Sequence, residues 1–117
     1  MSITRRIAQF SYELNYDALP PEVITIAKHC FLDWLGVTLA GMNDKAVKIL
    51  TSTLQEIDGG SNIDLIGSKR KASLRSTAEI YGTAAHVLDF DDLHVPAHLE
   101  NGAIGHPSAP VIAGLLA

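Results

Sequence analysis

Residues 73–92 read SLRSTAEIYGTAAHVLDFDD, and this stretch decides the fold. Apolar side chains recur in it at helical spacing, which predicts a helix over residues 73–89. These side chains are Leu74, Ala78, Tyr81, Ala85 and Leu88. Small residues such as Gly82 and Ala84 also line the helix, and they let a neighbouring backbone approach closely. We therefore expect this helix at the centre of the fold.

Three more helices with apolar stripes are predicted upstream, over residues 3–14, 21–40 and 45–57. Ser2 is expected to cap the first helix, and Pro21 to open the second, where its missing N–H has no intrahelical partner to lose. Asn43 or Asp44 is expected to cap the third helix. Gly41 is expected to end the second, because glycine is common just after a helix.

The remaining segments complete an all-α prediction. Residues 58–62 are expected to form a loop, and residues 63–66 a short strand or an extended link. Pro107 is expected to open a final helix. The fold class is therefore a helical bundle-like segment. The residues expected in its core are Phe31, Trp34, Leu35, Leu50, Leu54, Tyr81 and Leu88.

Length and composition restrict the class of protein. The chain has 117 residues, which is room for one domain, and 47% of them are hydrophobic, which argues against disorder. The net charge of -4 disfavours nucleic acid as a partner. Cys30 is the only cysteine, and we expect it to be a buried small apolar side chain. No secretory signal or membrane-length apolar run is apparent, so the cytoplasm is the expected location.

The C-terminal stretch PVIAGLLA, residues 110–117, is an apolar helical run without a cap or a polar tail. From this we expect residues 1–117 to be part of a longer helical domain.

Acidic residues and histidines concentrate between His86 and His106, a segment that holds four of the chain's five histidines. His106 directly precedes Pro107, so the positive end of the final helix favours a neutral imidazole and suits a bound carboxylate. A neutral histidine beside an anion can transfer protons. Asp89 lies at a helix C-terminus, which disfavours a carboxylate by about 0.3–1 kcal/mol and so suggests a partner or a function. A solvated acidic loop with an ordinary helix-start histidine stays an equal alternative.

Other members of the segment have simpler interpretations. His86 lies within the predicted helix and is expected to be a structural histidine. Asp91 and Asp92 are expected to face water or to cap the loop, and Asp91 to be more exposed than Asp89.

Three stretches together resemble the MmgE/PrpD family: LDWLGVTLAG at 32–41, YGTAAHVLDFDD at 81–92 and HPSAP at 106–110. That family includes 2-methylcitrate dehydratases, cis-aconitate decarboxylases and iminodisuccinate epimerases. The resemblance covers essentially the whole chain and implies residues 1–117 to be part of the family's N-terminal helical domain. Family members are several times longer, with a smaller α+β domain, and usually form homodimers.

The resemblance also implies a function. The implied activity is that of a lyase or isomerase that abstracts a proton next to a carboxylate of a small polycarboxylate, without metal or cofactor. A 2-methylcitrate dehydratase of propionate catabolism is expected first, and decarboxylase and epimerase activities stay open because the residues that choose the substrate lie elsewhere. By the resemblance, His106 and Asp89 are the catalytic residues, and Leu93 and Ser108 occupy substrate-binding positions. The family often has threonine where Leu93 stands, so one hydroxyl contact is lost. The family's lysines would lie beyond Ala117, and the chain alone is therefore expected to be inactive.

Two other classes of function remain open. One is a metal-dependent enzyme whose oxygen and nitrogen ligands come from the acidic loop. Its candidate ligands are Asp89, Asp91, Asp92, His94, His98 and His106. The other is a non-catalytic helical piece that associates into a homo-oligomer through its apolar faces.

Overall fold

The computed structural model describes residues 1–58, 62–96, 102 and 104–117. Its elements, in chain order, are α1 (Ile3–Glu13), a 3₁₀ turn (Tyr16–Ala18), α2 (Pro21–Gly41), α3 (Lys45–Asp58), β1 (Ile63–Asp64), β2 (Lys71–Ala72), α4 (Leu74–His86) and α5 (Ser108–Leu116). The predicted all-α class is confirmed, because the two strands form only one short antiparallel pair. The second strand was not predicted from the sequence, and most of the loop predicted at 58–62 lies outside the described residues.

The helices begin where the capping signals place them. The Ser2 hydroxyl accepts from the N–H of Arg5, and the Asp44 carboxylate accepts from the N–H of Ala46 at 2.7 Å. The Ser73 hydroxyl accepts from the N–H of Ser76 at the start of α4. These bonds satisfy N–H groups that have no partner within the helix.

Asp58, at the end of α3, strengthens the start of α4. Its carboxylate accepts hydrogen bonds from the hydroxyls of Ser73 and Ser76. Those two hydroxyls hold the pKa of Asp58 below its usual value. The carboxylate therefore ties α3 to the end of α4 that lies away from the acidic segment.

Helix α4 lies at the centre of the fold, as its small side chains predict. It packs against α2, α3 and α5, and buries Ile80, Tyr81, Ala84 and Ala85. Its Tyr81 ring meets the fully buried ring of Trp34 edge-on, with centroids 5.8 Å apart. Edge-to-face aromatic pairs are favourable beyond the area that they bury. This pair fixes α2 on α4.

Helices α2 and α4 approach each other closely at Gly41, where an added Cβ atom would overlap the carbonyl oxygen of Ala84. Gly41 is the last residue of α2 and has no left-handed backbone conformation. The helix does end at Gly41, as the sequence predicted, but the predicted reason, a glycine cap after the helix, is wrong. The glycine is required because the backbone of α4 passes directly over it.

The predicted core is correct in part. Trp34, Leu54 and Tyr81 are buried, and Leu35, Leu50 and Leu88 are half-buried. The prediction for Phe31 is wrong, because the residue is 44% exposed, with its ring tilted against that of Trp34 at a centroid distance of 6.2 Å. An apolar stripe shows which face of a helix is apolar, but it does not show that another element covers that face.

Among the described residues, one helix, α2, is long and apolar enough to cross a membrane by length and composition. The expectation that no apolar run reaches that length is therefore wrong. Core helices of soluble proteins meet the same criteria, and α2 buries Trp34, Thr38 and Gly41 inside the chain. The helix alone is weak evidence and does not indicate a membrane protein.

Two glycines of α2 provide a matched test of this packing. Gly41→Ala should lower the free energy of unfolding by about 3 kcal/mol, at the upper end for overpacking, because the obstacle is backbone. Gly36→Ala should raise it by about 0.5–1 kcal/mol, since nothing lies within 4 Å and alanine is the better helix former. Urea denaturation of both variants measures the difference. Equal effects of the two substitutions would contradict the close crossing at Gly41.

Candidate active site at the junction of α4 and α5

The acidic segment begins with a tight turn at the end of α4. The N–H of Asp89 donates to the carbonyl of His86 at 2.9 Å, and Asp89 takes a left-handed backbone conformation with φ 55°. This conformation costs a non-glycine residue about 1–2 kcal/mol. Such strain is common at functional sites, so the outlier points to Asp89 as a residue kept for its side chain.

The turn sends the three aspartates in different directions. The side chain of Asp89 is 80% exposed, whereas that of Asp91 is 1% exposed. The prediction that Asp91 is the more exposed of the two is therefore wrong. The reason is that the chain reverses after α4, so helical periodicity no longer indicates which side chain points inward.

Two imidazole rings surround the buried carboxylate of Asp91. Nδ1 of His86 lies 3.0 Å from Oδ1 and 3.2 Å from Oδ2, within hydrogen-bond distance. Nδ1 of His106 lies 3.3 Å from Oδ2 without forming a hydrogen bond, and this buried atom has no hydrogen-bond partner among the described residues. The rings of His86 and His106 meet edge-on, with centroids 4.6 Å apart. The cluster joins the end of α4 to the residues before α5.

The two residues predicted to be catalytic lie side by side. Nε2 of His106 is 3.7 Å from Oδ1 of Asp89, although 17 positions separate them in the sequence. Backbone hydrogen bonds of 2.8 and 3.2 Å between His94 and Gly105 close the base of the loop and bring its ends together. The chain therefore folds back between Asp89 and His106.

Open space borders His106 on two sides. One cavity of about 370 Å³ is lined by Gly82, His86, His106, Ala109 and Pro110. Another, of about 440 Å³, is lined by His94, Ile104, Gly105, His106 and Pro107. His106 lines both cavities, and pockets of this size suit small molecules.

Asp92 caps α5. Its carboxylate accepts from the N–H of Ser108 at 3.2 Å and from the hydroxyl of Ser108 at 2.9 Å. This carboxylate already occupies the positive helix end that was expected to suit a substrate carboxylate. Of the two predicted substrate-binding residues, Ser108 is buried with its hydroxyl on Asp92, and Leu93 is exposed. Within the described chain, neither is brought together with Asp89 and His106 by a direct side-chain hydrogen bond or ion pair.

Only part of the predicted metal-ligand set converges. Asp89, Asp91 and His106 gather with His86, which was not predicted, and their four ligand atoms lie within 4.8 Å of one another. Asp92 is bonded to Ser108, the His94 side chain is exposed, and His98 lies outside the described residues. A histidine one turn before an acidic run is the sequence signal that could have identified His86.

Comparisons with known proteins identify one relationship. A family model described as the MmgE/PrpD N-terminal domain matches residues 5–117. No curated protein and no solved structure is significantly similar to the chain.

The strained turn predicts an unusual order of stability at Asp89. Asp89→Gly should have an unfolding free energy about 1 kcal/mol above that of Asp89→Ala, because glycine adopts a positive φ without steric cost. The same pair of substitutions at Asp64, an exposed strand residue without positive φ, should give the opposite order. Chemical denaturation of the four variants measures this. An alanine variant at position 89 as stable as the glycine variant would exclude the left-handed turn.

Proposed function

The chain belongs to the MmgE/PrpD family, and we propose that it supplies the His106 part of the active site of a lyase or isomerase acting on small polycarboxylates. Within that class, the proposed activity is that of a 2-methylcitrate dehydratase. One observation carries the proposal: His106 and Asp89 are 3.7 Å apart beside open cavities. Their proximity provides a proton carrier and a polar orienting group at one place.

The proposed reaction begins with proton removal next to a carboxylate. His106, through Nε2, takes the proton from the carbon that bears the carboxylate, and the electron pair moves into an enediolate. The enediolate collapses as the hydroxyl on the adjacent carbon leaves, taking its proton from the imidazolium of His106, which gives an alkene and water and returns His106 to its neutral form. Asp89 is proposed to orient that hydroxyl. A positioned acid or base of this kind contributes about 10²–10⁴-fold in rate.

The negative charge of the acidic segment indicates that the groups that stabilise the enediolate lie outside it. A polycarboxylate and its enediolate require nearby cations or hydrogen-bond donors. No lysine or arginine follows Arg75 in this chain, and the site itself contains the carboxylates of Asp89, Asp91 and Asp92. We therefore propose that the stabilising groups come from residues other than these 117, and that this chain alone does not turn over substrate. Leu93, where the family often has threonine, would offer the substrate an apolar contact.

The proposed partners are a polycarboxylate substrate and a second copy of the protein, and the proposed location is the cytoplasm. The proposal includes no nucleic acid, membrane or cofactor. Exposed apolar side chains favour association, because large apolar patches mark interaction surfaces. In α1 they are Ile3, Ile7 and Phe10. A non-catalytic oligomerising role rests on the same surface. Sedimentation at high concentration that detects only a 12.6 kDa monomer would exclude self-association of this chain.

A metal-dependent enzyme is the second candidate, favoured by the convergence of His86, Asp89, Asp91 and His106. Two imidazoles and two carboxylates suit several divalent ions. Calorimetric titration of the chain with Zn²⁺ or Mn²⁺ distinguishes the candidates. Stoichiometric binding that is lost in Asp91→Ala would favour the metal enzyme, and heats equal to those of dilution would exclude it.

Substitution of His106 tests the proposed function. In the complete gene product, His106→Gln should lower turnover of 2-methylcitrate by about 10²–10⁴-fold, because glutamine cannot exchange a proton at neutral pH. The assay should include cis-aconitate as a second substrate. His29→Gln, which changes an exposed histidine of α2, is the matched control and should keep wild-type turnover. Near wild-type activity of His106→Gln would refute the assignment.

A further inference from the structure

Asp91 has no role in the reaction proposed above, yet among the described residues of the acidic segment it is the most buried carboxylate. Its side chain is 1% exposed, compared with 80% for Asp89. Burying a carboxylate is costly unless hydrogen bonds compensate for its lost hydration. The groups that face it are the imidazoles of His86 and His106. The structure therefore places one carboxylate between two histidines, one of which is the proposed proton carrier.

Both rings present the same atom to this carboxylate. Nδ1 of His86 is 3.0 Å from it, and Nδ1 of His106 is 3.3 Å from it. An ionised carboxylate only accepts hydrogen bonds, so a neutral ring that bonds to it must carry its hydrogen on Nδ1. The other nitrogen, Nε2, then keeps a free lone pair. Nδ1 of His106 is buried and has no hydrogen-bond partner in the part of the chain that the structure describes, so a small rotation of the ring towards Asp91 would satisfy it.

We infer that Asp91 is a positioning residue: it holds His106 in the Nδ1–H tautomer, so that the basic Nε2, on the side of Asp89, keeps a free lone pair. This inference rests on the proposed function of His106. Hydrogen bonding at one ring nitrogen commonly sets the state of the other. His86 takes the second acceptor position on Asp91, and its ring packs edge-on against His106. The two histidines thus share one anchor.

Asp91→Asn gives this arrangement a specific consequence. An amide has one acceptor oxygen and one donor NH₂ group. It therefore cannot accept one Nδ1–H hydrogen on each of its two terminal atoms, as the carboxylate does. The ring that faces the NH₂ group is favoured with an unprotonated Nδ1 and with its hydrogen on Nε2. Loss of the correct tautomer in a comparable histidine–carboxylate pair, the serine-protease triad, lowers turnover by about 10⁴-fold.

Nitrogen chemical shifts of the histidine rings test the inference without any turnover. The measurement is a long-range ¹H–¹⁵N spectrum of the ¹⁵N-histidine-labelled chain, treated with a chelator, at a pH where the rings are neutral. His86→Gln and His106→Gln assign the signals. In the wild-type chain, His86 and His106 should both show a protonated Nδ1 and an unprotonated Nε2. A wild-type His106 with its hydrogen on Nε2 overturns the inference.

The variants sharpen the test. Asp91→Asn should invert the tautomer of at least one ring, whereas Asp89→Asn, which changes the exposed carboxylate near Nε2, should leave both rings Nδ1–H. Two unchanged rings in Asp91→Asn would overturn the inference. In the complete gene product, Asp91→Asn should lower kcat by at least about 10² with little change in KM. An unchanged kcat would refute the positioning role, whereas the proposed function is decided separately by His106→Gln.

Discussion

The contact between Gly41 of α2 and the carbonyl of Ala84 in α4 is the constraint on which the junction depends. A side chain at position 41 would separate the helices, and Ala84 lies only two residues before His86. The Trp34–Tyr81 pair, one helical turn further from the site, keeps the same helices in contact. Because packed interiors transmit small displacements, the position of His86 is set by this crossing as much as by its own contacts.

Three aspartates lie within four residues just after α4, and each has a different environment. Asp89 stands exposed in a left-handed turn, Asp91 is buried between two imidazoles, and Asp92 caps α5. The cap of Asp92 holds the start of α5, and the His94–Gly105 bridge closes the loop between them. His106 is therefore fixed from both directions of the chain. A rigid scaffold that presents a strained, polar segment is a common arrangement at catalytic sites.

The sequence predicted the helices well because their signals are local. Ser2, Asp44 and Ser73 cap helices where they stand, and the small residues of α4 correctly placed it at the centre. The site was predicted less completely. The proximity of Asp89 and His106 was expected from the family resemblance, which gives both residues catalytic roles. The burial of Asp91 was not expected, because it depends on histidine rings that come from both sides of the loop. Phe31 was wrongly predicted to be buried, because the apolar stripe of a helix does not show whether another element packs against that stripe.

The central claim is that Asp91 gathers His86 and His106 at the junction of α4 and α5. The most direct measurement is the nuclear Overhauser effect between the carbon-bound ring protons of these two histidines in the folded chain. With centroids 4.6 Å apart and edge-on, the rings should give clear cross-peaks, which should weaken or vanish in Asp91→Ala. A folded wild-type chain without cross-peaks between the two rings would contradict the account.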